Sequence, residues 1–349
     1  MRSSFKKEDV TVLLKDITGL VTPLPSEKRE REIQSGRHYS EMLPLEYVPT
    51  KEYMEIYFEA LELFGQEVAD AAAALGEEIL RRRGRETVLV SLARAGIPAG
   101  IFIKRYLEER YGLSLPHYAI SIIRGRGIDQ NAMGYLLARY SPGSLLFVDG
   151  WIGKGAILRE LEKETKALPG VSPELAVLSD PSGLSPYAGT YRDILIPSSC
   201  LNATVSGLIS RTFLRGDIIG PKDFHGAMYY EEYRSRDLTY DFIDRITALF
   251  PKHPPASEKR PDTRGMDEVR NIAKMYGVED INFIKPGIGE TTRVLLRRVP
   301  WKVVISCRER GNPRLAPVLR LAAEREVPLE FLPLEHYSCC GLIKKLGDV

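Results

Sequence analysis

Four runs of almost unbroken apolar character recur along this chain: TVLVSLA (87–93), HYAISII (117–123), SLLFVDG (144–150) and ELAVLS (174–179). They constrain its fold more than any other feature. A strand with one wet face alternates polar and apolar residues, whereas a strand apolar on both faces has to be covered on both. The covers lie between the runs, at PAGIFIKRYLEERYG (98–112), QNAMGYLLARY (130–140) and GAILRELEKETKAL (155–168), all with apolar positions at helical spacing. Pro98 suits a first helical turn, and Gly112 sits where a C′ glycine would. Strands alternating with helices predict an α/β fold with a doubly wound, mostly parallel sheet. A strand at RDILIP (192–197) and a helix over TVSGLISRTFL (204–214) would complete it. Upstream, residues 51–83 read as one long helix or a broken pair, closed by Gly84.

At 349 residues the chain is long for one core. Residues 250–265, FPKHPPASEKRPDTRG, are charged, proline-rich and without apolar period, as a linker would be. The organisation expected is a domain over 1–250, a linker over 251–265 and a small α/β domain over 266–349. In that last domain, helices fall at MDEVRNIAKMYG, from about Gly289, over PRLAPVLRLAAERE and at the end of the chain, with strands at INFI, KVVIS and LEFLP. Hydrophobic residues at 44% and charged residues at 28% exclude a core-poor disordered chain. No apolar run approaches a membrane span and no signal-peptide core follows the N-terminus, so the cytoplasm is the expected location, with no membrane partner. Four unevenly spaced cysteines make neither a disulfide framework nor a zinc pattern and are read as thiols. A homodimer is allowed by the sequence but not specified by it.

In open α/β sheets ligands bind beyond the carboxyl ends of the strands. Three turns there carry glycines and cations: Arg94-Ala95-Gly96, Arg124-Gly125-Arg126-Gly127, and Asp149-Gly150-Trp151-Ile152-Gly153-Lys154-Gly155. Glycines admit close backbone approach and helix N-termini favour phosphate, so this rim suits a phosphorylated ligand. It is not an ATPase loop. Walker A needs four residues before its Gly-Lys pair, Gly150 to Gly153 leaves two, and Lys154 is followed by glycine instead of a hydroxyl residue.

LLFVDGWIGKGA (145–156) resembles the phosphoribosyl-diphosphate (PRPP) loop of type I phosphoribosyltransferases, VSLARAGIPAG (90–100) resembles their pyrophosphate loop, and IQSGRHYSEM (33–42) is similar to an N-terminal hood segment. The resemblance implies a transferase in which Asp149 and Gly150 meet ribose, Gly153, Lys154 and Gly155 hold the 5′-phosphate, and Arg94, Ala95 and Gly96 hold pyrophosphate. It also implies magnesium carried by PRPP near Asp149, with Arg124 and Arg126 closing over the leaving group. Gly150 stands where that family has a second acid. Two other readings stay open. PSSCLNATVSGLISRT (197–212) could hold a nucleophile, Cys200, with His225 as base, or the first domain could sense a nucleotide without catalysis, as part of an RNA-binding adaptor.

The tail concentrates charge, with nine basic and two acidic residues from Lys285 to Arg320, which suits RNA as a partner. IKPGIGETTRVLLRR (284–298) resembles the Pelota and kink-turn-binding fold, whose helix opens Gly-x-Asn-Glu-x-x-Lys. Carried over, Gly287, Ile288, Gly289, Glu290 and Arg293 would contact RNA, with Gly289 in place of the asparagine. As a whole the chain resembles proteins of tellurium-resistance and stress-response clusters, described both as phosphoribosyltransferases fused to a Pelota domain and as StiP-type cysteine proteases. The transferase is the leading expectation, with the cysteine hydrolase as alternative.

Overall fold

The structure, a computed structural model, describes residues 1–46, 48–261 and 265–345; residues 262–264 of the expected linker and 346–349 of the expected last helix lie outside the described residues. Its larger sheet has six strands: β1 (Thr11–Val12), β2 (Val88–Leu92), β3 (His117–Ile120), β4 (Leu145–Trp151), β5 (Leu175–Ser179) and β6 (Tyr187–Thr190). They lie in the order β1-β3-β2-β4-β5-β6, and every pairing is parallel. Every residue of β2 and β5 is buried. The two faces separate by alternation. Leu146 and Val148 pack with α2 (Lys51–Arg83) and α3 (Gly96–Tyr111), while Leu145 and Phe147 pack with α4 (Gln130–Leu137) and α5 (Ala156–Thr165). α1 (Ser26–Gln34) precedes these helices and α6 (Thr239–Thr247) closes the first cluster.

Two expected elements of the larger domain are absent. Residues 192–197 form no strand; the sheet edge is β6, whose small residues let α2 come close, and a Cβ on Gly189 would meet the Ala71 carbonyl oxygen at 2.2 Å. Residues 204–214 form no helix beyond a short turn at Ala203–Val205. There Gly207 has φ +73°, Leu208 has φ 55°, and the Asn202 side chain accepts the Thr204 N–H at 3.2 Å. Local side-chain bonds and left-handed residues both break a helix. Among the described residues, no helix is long and apolar enough to cross a membrane.

The small C-terminal domain holds α7 (Gly265–Tyr276), α8 (Ile288–Arg297) and α9 (Ala316–Glu324). Its sheet comprises β7 (Ile284–Pro286), β8 (Pro300–Ser306), β9 (Leu329–Leu332) and β10 (Cys339–Ile343), in the order β7-β10-β8-β9. β10 takes a central place where a last helix was expected. Its residues CCGLI are all buried, which a strand paired on both edges satisfies.

This domain is docked against the strand ends of the larger sheet. Ile288 and Leu295 of α8 share a core with Leu195, Ile196 and Leu201. Asp193 accepts the N–H of Ile288 at 3.0 Å and of Ser338 at 2.9 Å, capping α8 from the other domain. Arg298 makes a two-pronged ion pair with Glu30 at 2.7 and 2.8 Å, and Arg320 meets Glu59 at 2.6 Å. Replacing Asp193 by alanine would leave two donors without acceptors. Each such loss costs ~1–3 kcal/mol, so urea denaturation of Asp193→Ala should show a total loss of about 2–6 kcal/mol, with faster proteolysis between residues 251 and 261.

Candidate functional site

β2 and β4 end side by side at the mouth of the interdomain cavity, which encloses about 1230 Å³. The turns singled out by sequence do meet there, but most are committed to packing. Arg94 is buried in an ion pair with Glu46 at 2.6 Å and also donates to the Ile209 carbonyl. Glu46 further accepts the Ala203 N–H at 2.6 Å. Gly96 serves helix-to-strand approach, since a Cβ there would meet the Val148 carbonyl oxygen at 2.4 Å. Arg94, Ala95 and Gly96 therefore do not present a free pyrophosphate cradle.

The 149–155 turn is likewise engaged, and by the tail domain. The Lys154 side chain is buried, and its ammonium donates to the carbonyls of Ile281 and of Ile284, the latter at 2.8 Å. Burial lowers it to about 7. Tyr337 donates its hydroxyl hydrogen to the Gly153 carbonyl at 2.7 Å, and a Cβ on Gly153 would sit 3.3 Å from the Pro286 carbonyl oxygen. Gly155, at φ +72°, opens α5 with no room for a side chain beside Leu184. Gly150 donates its N–H to Asp149 at 2.8 Å. Asp149 faces the cavity with its carboxyl pushed up to about 7, chiefly by burial, opposed by that N–H and by Arg293. Asp149 is the one carboxyl of this turn, and the described residues hold no group of three His, Cys, Asp or Glu that could enclose a metal by themselves. Arg124 and Arg126 are also engaged. Arg124 donates to Asn282 at 2.8 Å and lies over Tyr39, while Arg126 pairs with Glu41 at 2.6 Å.

The residues expected to read RNA lie in the same joint. Gly287, Ile288 and Gly289 are buried against the larger domain. Gly289 faces Trp151, whose ring a Cβ would touch at 3.4 Å. Glu290 and Arg293 pair at 3.2 Å and line the cavity, with Arg293 over Trp151. In the docked arrangement this face is not open to a nucleic acid.

Cys200 closes the turn Pro197–Cys200 and is 2% exposed. Burial pushes its thiol up to about 12, with Arg297 as the cation opposing the shift. Among the described residues no hydrogen bond joins His225 to Cys200. The His225 ring bonds Ser121 at 2.9 Å and its backbone N–H goes to Asp129 at 2.6 Å. Cys339 and Cys340 are buried and Cys307 is exposed. Asp193, Glu46, Arg29, Arg211 and Lys285 complete the joint and its cavity without any local motif to announce them.

Residues 3–247 match the family described as tellurite-like stress resistance cysteine protease StiP. A protein of Acinetobacter baylyi named "Cysteine protease StiP" is 34% identical over 365 residues, covering 99% of this chain and 94% of its own. The chain belongs to the StiP family. Residues 263–345 match the PELOTA RNA binding domain. Among solved structures, a hypoxanthine-guanine phosphoribosyltransferase of Bacillus anthracis is 15% identical over 36% of this chain and 77% of its own, at a TM-score of 0.28. A hypoxanthine-guanine-xanthine phosphoribosyltransferase is 13% identical over 49% and 93%, at a TM-score of 0.26. Likeness that slight passes on neither fold nor activity. The transferase expectation, and PRPP as its ligand, are corrected by the near full-length StiP relative.

Two outcomes follow from this geometry. Native-state alkylation read by peptide mapping should label Cys307 first and leave Cys200, Cys339 and Cys340 unlabelled until urea is added. For Asp149, a carboxyl raised in the folded state lends stability that is full below its unfolded pKa near 4 and is lost as pH rises through 7. From about pH 5 to about pH 8, the denaturation midpoint should therefore fall in the wild type relative to Asp149→Asn.

Proposed function

We propose that this StiP-family chain is a latent cysteine hydrolase acting on peptide bonds, with Cys200 as nucleophile and a C-terminal domain that binds RNA. The observation carrying the first part is that Cys200 is the single cysteine within residues 3–247, the span that matches a family described by a thiol enzyme's name. It sits at a turn beside a small cleft bordered by Ser198, Ser199, Asn202 and Arg297. Latency follows from its burial. A thiol at about 12 is thiolate in only roughly one molecule in a hundred thousand at pH 7. α8 packs directly on the Pro197–Cys200 turn and brings Arg297 beside the thiol. A shift of α8 that admits water while keeping Arg297 in reach would remove the desolvation and favour the thiolate.

RNA binding rests on the match over residues 263–345 and on the basic surplus of Lys285 to Arg320. Because the expected reading face of α8 is the face buried against the larger domain, RNA on that face and the docked arrangement exclude each other.

With a fluorogenic peptide library and the joint loosened by Asp193→Ala, adding Cys200→Ala should lower turnover by at least about a thousandfold, while adding Cys307→Ser leaves it unchanged. Turnover intact in Cys200→Ala would refute the assignment. Loosening the joint with Asp193→Ala should speed both Cys200 alkylation and cleavage. It should also tighten RNA binding measured by anisotropy, with an affinity that falls steeply as salt rises.

A further inference from the structure

Eleven basic and four acidic side chains line the interdomain cavity. The surplus is not confined to the rim. Arg29 on α1 is 5% exposed, its Nε has no hydrogen-bond partner, and it forms no ion pair among the described residues. Arg211 and Lys285 line the same space, and neither side chain donates to a protein acceptor among the described residues. The nearby acids are already engaged: Glu30 with Arg298, Glu46 with Arg94, Glu290 with Arg293. Burial, reinforced by Arg29, Arg293, Arg297 and Arg94, pushes the Arg211 guanidinium well below the usual arginine range. Arg29 is lowered to about 10, by burial and then by Arg298.

Buried cations without counter-charge are costly unless paired. Three cations converge here, the buried Arg29 from the N-terminal arm and the half-buried Arg211 and Lys285 from the middle of the larger domain and the first strand of the tail, and the acids beside Arg29 and Lys285, Glu30 and Glu290, are already bonded to other arginines. Guanidinium forks match phosphate oxygens in shape as well as charge. The cavity is as large as those that hold whole nucleotides, roughly 300–1,000 Å³ being usual for small ligands. Its lining includes Tyr39 and Phe283, flat rings that suit a base. We propose that this cavity binds a small oligophosphate, an anion with at least two linked phosphates, held by Arg29, Arg211, Lys285 and Arg293. Free polyphosphate and a nucleoside polyphosphate share this chemistry. Because the cations come from both domains, the ligand stabilises the docked arrangement. This site stands apart from Cys200 and does not rest on the hydrolase reading.

Calorimetric titration of the full chain with tripolyphosphate, ATP and orthophosphate tests it. Tripolyphosphate and ATP should bind, orthophosphate at least roughly tenfold more weakly, and the two tighter anions should raise the thermal midpoint. Equal affinity for tripolyphosphate and ATP identifies the phosphate chain as the ligand, and tighter ATP binding a nucleoside polyphosphate. Arg211→Gln and Arg29→Met should each weaken binding by about tenfold or more, while Arg308→Gln on the exposed tail surface leaves it unchanged. The proposal is overturned if no tested anion binds, or if binding persists unaltered in folded Arg29→Met. Should Arg211→Gln not fold, the wild-type titration and Arg29→Met decide.

Discussion

The joint between the two domains depends on the Asp193 carboxylate. It accepts the first N–H of α8 and the N–H of Ser338, so one side chain fixes both the helix that reaches into the cavity and the approach to β10. Ion pairs such as Arg298–Glu30 add directional attraction around it, and Ile288 and Leu295 supply apolar contact. With this acceptor in place, α8 lies on the Cys200 turn, Lys154 reaches the carbonyls of the tail, and the arginine-lined cavity is enclosed.

One helix thus takes part in three things: the cover of a thiol, the wall of a cationic cavity, and the surface through which a Pelota-type domain would meet RNA. Their energetics are linked whatever ligand is present. Binding that needs the α8 face free has to work against the joint, and binding that recruits cations from both sides strengthens it. A ligand's sign of effect on Cys200 therefore depends on whether it uses α8 from within the joint or apart from it.

Much of the larger sheet was legible because a buried parallel strand writes itself as a run such as LLFV or LAVL. β6 was not, because Tyr-Ala-Gly-Thr carries small residues under α2 and no long apolar run; the signal was in the helix, where Ala71 meets Gly189 within a stretch, Ala71 to Ala74, that lacks bulk on every side. β10 was missed for a related reason, since Cys-Cys-Gly-Leu-Ile is too short to show a period. The strand-end turns meet at the cavity, where several of their side chains are bonded to other parts of the chain. Lys154 and Arg94 look like ligand cations when read within their own segments, but their partners, Ile284 and Glu46, lie far away in sequence. Arg29 and Arg211 carried no motif because what distinguishes them is that neither forms an ion pair among the described residues, which only the folded arrangement reveals.

The glycine at 289 ties two distant parts of the chain together. A methyl group there would rest in ordinary contact against Trp151, whereas the longer amide found at this position in kink-turn readers would need the space of the indole. An asparagine at 289 would therefore require Trp151 to move aside, while an alanine would not. Gly289 is thus the point at which the seat of α8 on the larger domain is set by the bulk of a single indole.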